Sequence, residues 1–265
     1  MALALTEADY GCAFIALFGP YALMYVSTWE EFYTGELIMP IVNGPNEGLW
    51  GSVGLSLVSY WYGPEYWQST SGWDTLLNHR LVPTSVYMES VEPLRNADLL
   101  LLLSAALIAQ EVVSKSFMLS RKYGPRVFST LFPFCTLSFC FFFIGWKRPD
   151  ILFSMPRTSL HLCAVLFVEM TTELMLLHVT QQAQQYGPFR WILLPLMLLT
   201  ATVAIGGDLS SEATRHLLVA YAAAAGTYLL LKVVIVIHEI CCILGIWCFD
   251  ITSPRWQGTT TLKRD

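Results

Sequence analysis

The sequence predicts an all-α integral membrane protein, and composition and apolar patterning both indicate this class. Of its 265 residues, 55% are hydrophobic and only 13% are charged, whereas a soluble domain carries about 25% charged residues. The mean hydropathy is +0.52. This composition excludes a soluble globular domain and a disordered chain.

Seven stretches approach the roughly 20 apolar residues that cross a bilayer; in chain order they are residues 11–27, 48–62, 98–119, 127–146, 159–180, 188–205 and 217–237. Each is apolar on all sides, as a helix surrounded by lipid and other helices requires. Because lipid cannot hydrogen-bond to the backbone, the stretches are expected to form a bundle of about seven helices.

The individual elements carry further signals. The first and fourth stretches contain Pro20 and Pro133, which kink a membrane helix without breaking it. The second is short and rich in glycine, and residues 63–97 form a polar connection. We expect one transmembrane domain over residues 1–251 and a polar cytosolic tail over residues 252–265.

Charge and cysteine content exclude other classes. The net charge of −5 gives no electrostatic footprint for a nucleic acid. None of the seven cysteines forms a C-x-x-C pair, so neither a zinc site nor a disulfide framework is indicated. With seven spans, eight basic residues fall on the side of the C-terminus and six on the other, which favours a cytosolic C-terminus.

The fifth stretch carries the most ionisable residues. At 100° per residue, His161, Glu169, Thr172 and Glu173 lie within roughly 120° of one helix face. This face either lines a polar cavity that binds a cation or moves protons, or makes interhelical hydrogen bonds. Lys232 in the seventh stretch is expected to extend toward a membrane interface.

The first connection is acidic and rich in turn signals. It reads W-E-E-F-Y-T at residues 29–34 and P-I-V-N-G-P-N-E-G at residues 40–48, with four glutamates and no basic residue between residues 29 and 48. The N-G-P sequence marks a turn. The segment is either a tight turn or a carboxylate cluster near a bound cation or ammonium headgroup.

This connection resembles the W-E-x-[YF]-[YFH]-T and P-[IV]-[IVF]-N-G-P-x-E-G segments of eukaryotic choline/ethanolamine phosphotransferases, in the CDP-alcohol phosphatidyltransferase family. Near the other end of the chain, V-I-H-E-I at residues 236–240 and L-G-I-W-C-F-D-I at residues 244–251 are similar to the ending of the plant-type enzymes. The resemblance runs from about residue 11 to residue 251.

The resemblance implies transfer of phosphocholine or phosphoethanolamine from CDP-choline or CDP-ethanolamine to diacylglycerol in endoplasmic reticulum or Golgi membranes. It also implies a homodimer and two Mg²⁺ or Mn²⁺ ions held by a D-G-x-x-A-R-x(8)-G-x(3)-D-x(3)-D motif. This motif is absent from residues 1–265, because no aspartate precedes a glycine and no D-x(3)-D occurs. The chain therefore resembles the last seven spans of a ten-span enzyme, lacking its N-terminal third, and is expected to be inactive alone.

By the same resemblance, the residues expected near the mouth of the substrate site are Glu31, Asn43, Gly44, Pro45 and Glu47. His238 and Glu239 match the terminal motif, where helix packing is an equal alternative. Two other functions stay open: a catalytically dead paralogue that partners an active subunit, and a small-solute transporter that uses the face with Glu169.

Overall fold

The computed structural model of the chain describes residues 9–36, 49–78, 94–180, 186–206, 211–245 and 248. Within these ranges the chain forms ten α-helices and no strand: α1 (Tyr10–Thr34), α2 (Leu49–Tyr62), α3 (Glu65–Gln68), α4 (Ser71–Asn78), α5 (Asn96–Tyr123), α6 (Phe128–Lys147), α7 (Pro149–Phe153), α8 (Pro156–Val179), α9 (Leu194–Ile205) and α10 (Ser211–Leu244). The all-α membrane fold class is confirmed.

Five of the seven expected spans correspond to helices long and apolar enough to cross a membrane, namely α1, α5, α6, α8 and α10. The other two are helices at the expected places, but they are shorter. The 14 residues of α2 extend only about 21 Å at 1.5 Å per residue. In the sixth stretch, residues 188–205, Arg190 has an extended backbone and a 3₁₀ turn at Trp191–Leu193 precedes α9.

Contacts along the helices fix their directions. α1 and α5 run parallel, since Asp9 contacts Arg95 at one end and Ser27 contacts Lys115 farther along. α6 runs antiparallel to α1, because the Tyr10 hydroxyl donates to the Phe141 carbonyl and the Tyr25 hydroxyl to that of Thr130. We call the two ends of the bundle the Asp9 end and the Gly35 end.

The end of α1 follows from its sequence. Gly35 adopts a left-handed conformation with φ 79°, and its N–H donates to the Glu31 carbonyl at 2.8 Å, as in a glycine C-cap. The acidic connection that carries the family motif therefore begins at the Gly35 end.

The core lies between α1, α6 and α8 and is built from aromatic and aliphatic side chains. Tyr21 stacks on Phe167 with ring centroids 4.4 Å apart, and Tyr25 stacks on Phe134 at 4.8 Å. Trp29 is fully buried, and its indole N–H donates to Thr130 Oγ1 at 2.7 Å. These contacts place the C-terminal half of α1 against α6 and α8, next to the charged side chains described below.

Candidate functional site

The four residues of the polar face predicted in the fifth stretch all lie on α8, but in different surroundings. Glu169 is 1% exposed, Thr172 and Glu173 are half-buried, and His161 is exposed. His161 precedes Glu169 by eight residues, or about 12 Å of helix, and its ring lies against Gly226 of α10. The structure thus brings Glu169 and Glu173 together and places His161 nearer the Asp9 end.

Two cations from other elements meet these carboxylates. Arg190 contacts Glu169 Oε1 at 2.7 Å and Glu173 Oε1 at 3.4 Å. Lys232 of α10 lies 3.1 Å from Glu169 Oε1 and also contacts Glu173 Oε2. We call these four residues the α8 charge cluster. The expectation that Lys232 extends to an interface is wrong, because two carboxylates hold its ammonium group inside the bundle.

The α8 charge cluster has two negative and two positive groups, so its formal charges cancel. Burial disfavours the charged form of Arg190, but Glu169 and Glu173 together raise the pKa of its guanidinium. Glu169 Oε2 is buried and has no hydrogen-bond partner among the described residues. Mutual neutralisation makes such a cluster tolerable inside a bundle, since an unpaired buried charge costs several kcal/mol.

A tyrosine network extends the cluster toward α1. The Tyr186 ring lies 5.5 Å from the Arg190 guanidinium carbon, and its hydroxyl is 3.0 Å from that of Tyr25. Burial raises the pKa of Tyr186 to about 12, so this phenol is neutral at physiological pH. The network connects α1, α6, α8 and the segment that precedes α9 through one continuous polar path.

A second buried ion pair, between α1 and α5, is a feature that the sequence reasoning missed. Lys115 lies 2.7 Å from Glu30 Oε2 and 3.2 Å from Glu111 Oε1, and its ammonium donates to Ser27 Oγ at 3.1 Å. The side chains of Glu30 and Lys115 are 2% and 8% exposed. The spacing of four residues between Glu111 and Lys115 is a sequence signal for a pair on one helix face, but it does not indicate the partner Glu30 on α1.

The residues predicted from the family motifs are only partly described. Glu31 is half-buried in the last turn of α1, whereas Asn43, Gly44, Pro45 and Glu47 lie outside the described residues, as does the tail at 252–265. His238 and Glu239 are exposed near the end of α10, where the His238 ring contacts Cys242 Sγ at 3.7 Å. Their assignment to a substrate site stays a prediction.

The described residues do not fit a divalent metal site. No group of three or more His, Cys, Asp or Glu side chains converges among them. The carboxylates that do approach one another are paired with Arg95, Arg190, Lys232 or Lys115, and such ammonium and guanidinium groups compete with a cation for the same oxygens. These residues therefore support no reaction step through Mg²⁺ or Mn²⁺.

Comparison with known proteins confirms the resemblance found in the sequence. Over 67 residues the chain is 30% identical to an uncharacterized CDP-alcohol phosphatidyltransferase class-I family protein of Schizosaccharomyces pombe, covering 25% of this chain and 17% of that protein. The chain is thus similar to CDP-alcohol phosphatidyltransferases.

The longer match is to choline/ethanolaminephosphotransferase 1 of Arabidopsis thaliana, at 25% identity over 249 residues. It covers 87% of this chain and 61% of the relative, so the chain spans about three-fifths of that protein's length. No protein-family model and no solved structure matches the chain. Together with five apolar helices, the similarity supports a multi-pass membrane protein.

Proposed function

We propose that the chain acts in phospholipid synthesis as the membrane region of a choline/ethanolamine phosphotransferase. In that reaction a diacylglycerol hydroxyl oxygen attacks the phosphorus that bears the choline or ethanolamine group. The new P–O bond replaces the bond to CMP, and the hydroxyl loses its proton. The similarity to the Arabidopsis relative over 249 residues carries this proposal.

The charges of the α8 charge cluster support a positioning role for its four residues, with the phosphoryl chemistry supplied elsewhere. A pyrophosphate needs net positive charge to bind and to stabilise the transferring phosphoryl group. The α8 charge cluster has no excess positive charge, because Arg190 and Lys232 each contact both Glu169 and Glu173. With no D-G-x-x-A-R sequence in residues 1–265, we expect these residues alone to be inactive.

The proposed substrate end of the bundle is the Gly35 end. Glu31 lies there on α1, directly before the segment with Asn43, Gly44, Pro45 and Glu47, which we propose shapes the headgroup or nucleotide site. Diacylglycerol would enter from the lipid. Residence in endoplasmic reticulum or Golgi membranes follows from the same proposal and is tested by fractionating the membranes of the native cell.

A second candidate function is that of a catalytically inactive subunit that partners an active enzyme or a second copy of this chain. Such a partner would pack on α10, where Leu230, Val234 and Ile243 are 68%, 62% and 84% exposed. Transport of a small cation receives less support, because the carboxylates that would bind it already contact Arg190 and Lys232. Transport predicts that Glu169→Gln abolishes uptake of a solute.

The proposal is tested with host membranes that lack their own choline and ethanolamine phosphotransferases. One sample carries this chain, and a second carries the Arabidopsis relative with its matched region replaced by the corresponding region of this chain, which is 87% of its length. Labelled CDP-choline or CDP-ethanolamine is supplied with diacylglycerol and Mn²⁺. We expect product from the chimera and none from the chain alone; a correctly inserted but inactive chimera would favour the partner-subunit function.

A further inference from the structure

The reversal between α5 and α6 carries an unusual concentration of positive charge. Arg121 and Lys122 lie in the last turn of α5, and Arg126 lies in the 3₁₀ turn at Pro125–Val127 that leads into α6. All three are exposed, and none forms an ion pair with an acid among the described residues. We call these three residues the basic turn.

Helix electrostatics account for only part of the basic turn. Cations in the last turn of a helix interact favourably with its C-terminal dipole, which suits Arg121 and Lys122. Arg126 stands at the start of α6, where the dipole disfavours a cation. Helix stability therefore does not account for the charge of Arg126.

Apolar side chains adjoin the basic turn on the surface of α5. Phe117 and Met118 are 66% and 44% exposed, and with Arg121 and Lys122 they line an open recess of about 470 Å³. Lys122 Nζ also lies 5.0 Å from the centre of the Tyr123 ring. One side of the recess thus suits a phosphate, and the other suits hydrocarbon.

We propose that the basic turn binds the phosphate of an anionic membrane phospholipid, whose acyl chain lies against Phe117 and Met118. The membrane supplies the occupant, because α5 and α6 are both long and apolar enough to span it and the turn between them lies at an interface. A soluble phosphate would leave the apolar wall uncovered. The excess of basic residues also predicts a cytosolic position for this turn, and the cytosolic leaflet is the anionic one.

The test uses the full chain in neutral detergent micelles and titrates phosphatidic acid, with phosphatidylcholine as the neutral lipid. Binding is followed by energy transfer from tryptophan to a dansyl group on the lipid. The variant Arg121→Gln/Lys122→Gln/Arg126→Gln is compared with a matched control at the Asp9 end that also loses three charges, Lys147→Gln/Arg157→Gln/Arg215→Gln. A third variant, Arg121→Lys/Arg126→Lys, retains the charge.

Each basic residue near an anionic lipid surface contributes about fivefold in affinity. We therefore expect the basic-turn variant to bind phosphatidic acid about 100-fold more weakly than the parent, and its salt dependence to flatten. The control at the Asp9 end and the lysine variant should stay within about fivefold of the parent. Phosphatidylcholine should bind equally to all variants.

Three results would overturn the proposal: unchanged binding in the basic-turn variant, an equal loss in the matched control, or equal competition by glycerol 3-phosphate, which has no acyl chain. Gel filtration and far-ultraviolet circular dichroism establish that each variant is folded. Should the triple variant not fold, the single Arg126→Gln variant is used in its place and is expected to bind phosphatidic acid about fivefold more weakly than the parent. Unchanged binding by this single variant would equally refute the proposal.

Discussion

Replacing Glu169 by Gln tests whether the α8 charge cluster holds the bundle together. The substitution keeps the size of the side chain but leaves Arg190 and Lys232 with Glu173 as their only carboxylate in the cluster. Removing one partner of a buried ion pair costs about 3–5 kcal/mol. In a membrane the unfolded state also finds polar partners, so we expect a loss of about 3 kcal/mol, the lower end of that range.

Glu173 provides the matched control, because it contacts the same two cations but its side chain is 24% exposed, against 1% for Glu169. Glu173→Gln should cost about 1 kcal/mol, since its pairs are less deeply buried. Adding Lys232→Met to Glu169→Gln restores a neutral cluster and should recover part of the loss, which a double-mutant cycle measures.

The assay is reversible unfolding in mixed micelles with an increasing fraction of dodecyl sulfate, followed by tryptophan fluorescence. A Glu169→Gln variant within about 0.5 kcal/mol of the parent would contradict the predicted contribution of the α8 charge cluster to stability. So would a Glu173→Gln variant that loses more than Glu169→Gln, because burial would then not set the energy of these pairs.

Three further changes test other parts of the fold in the same assay. Glu30→Gln should lose about 2–4 kcal/mol of stability, because it breaks the pair with Lys115, whose two side chains are 2% and 8% exposed. Glu36→Gln, at an exposed position, should change stability by less than about 0.5 kcal/mol. Equal effects of the two substitutions would contradict this prediction. Gly145→Ala places a Cβ in steric overlap with the Tyr10 ring and should cost about 1–3 kcal/mol, a cost that must disappear in a Tyr10→Ala background. Burial raises the pKa of Tyr186 to about 12, so its neutral phenol contributes stability that is present below about pH 10 and is lost as pH rises through the folded-state pKa. Tyr186→Phe should therefore lose less stability at alkaline pH than the parent. An identical pH profile of the two proteins would argue against burial of this hydroxyl.

The long helices were predictable because lipid imposes one requirement on every spanning segment. Apolar length located α1, α5, α6, α8 and α10, but it did not give their ends. The last of them, expected at residues 217–237, extends over Ser211–Leu244, since a helix continues beyond the hydrocarbon wherever its residues permit. The sixth span begins later than expected, because Arg190 is extended and contacts Glu169.

The sequence could predict which residues of the candidate site share one helix, but not which residues of other helices contact them. A period of 3.6 residues placed Glu169 and Glu173 on one face of α8. Their partners Arg190 and Lys232 follow Glu169 by 21 and 63 residues, and only the packing of α8 against its neighbours brings them together. The pair of Glu30 with Lys115 is of the same kind, since local periodicity carries no information on which helices become neighbours.

Transfer of labelled phosphoethanolamine to diacylglycerol is the decisive measurement for the proposed function. It uses the host membranes described above, with the parent Arabidopsis relative as the positive control. We expect labelled phospholipid from the chimera that contains the matched region of this chain and none from the chain by itself. Robust turnover by the chain alone would contradict the claim that these residues position substrate without carrying the chemistry. An inserted chimera that makes no lipid while the parent relative does would contradict the proposed role as the membrane region of the enzyme and would favour the partner-subunit function.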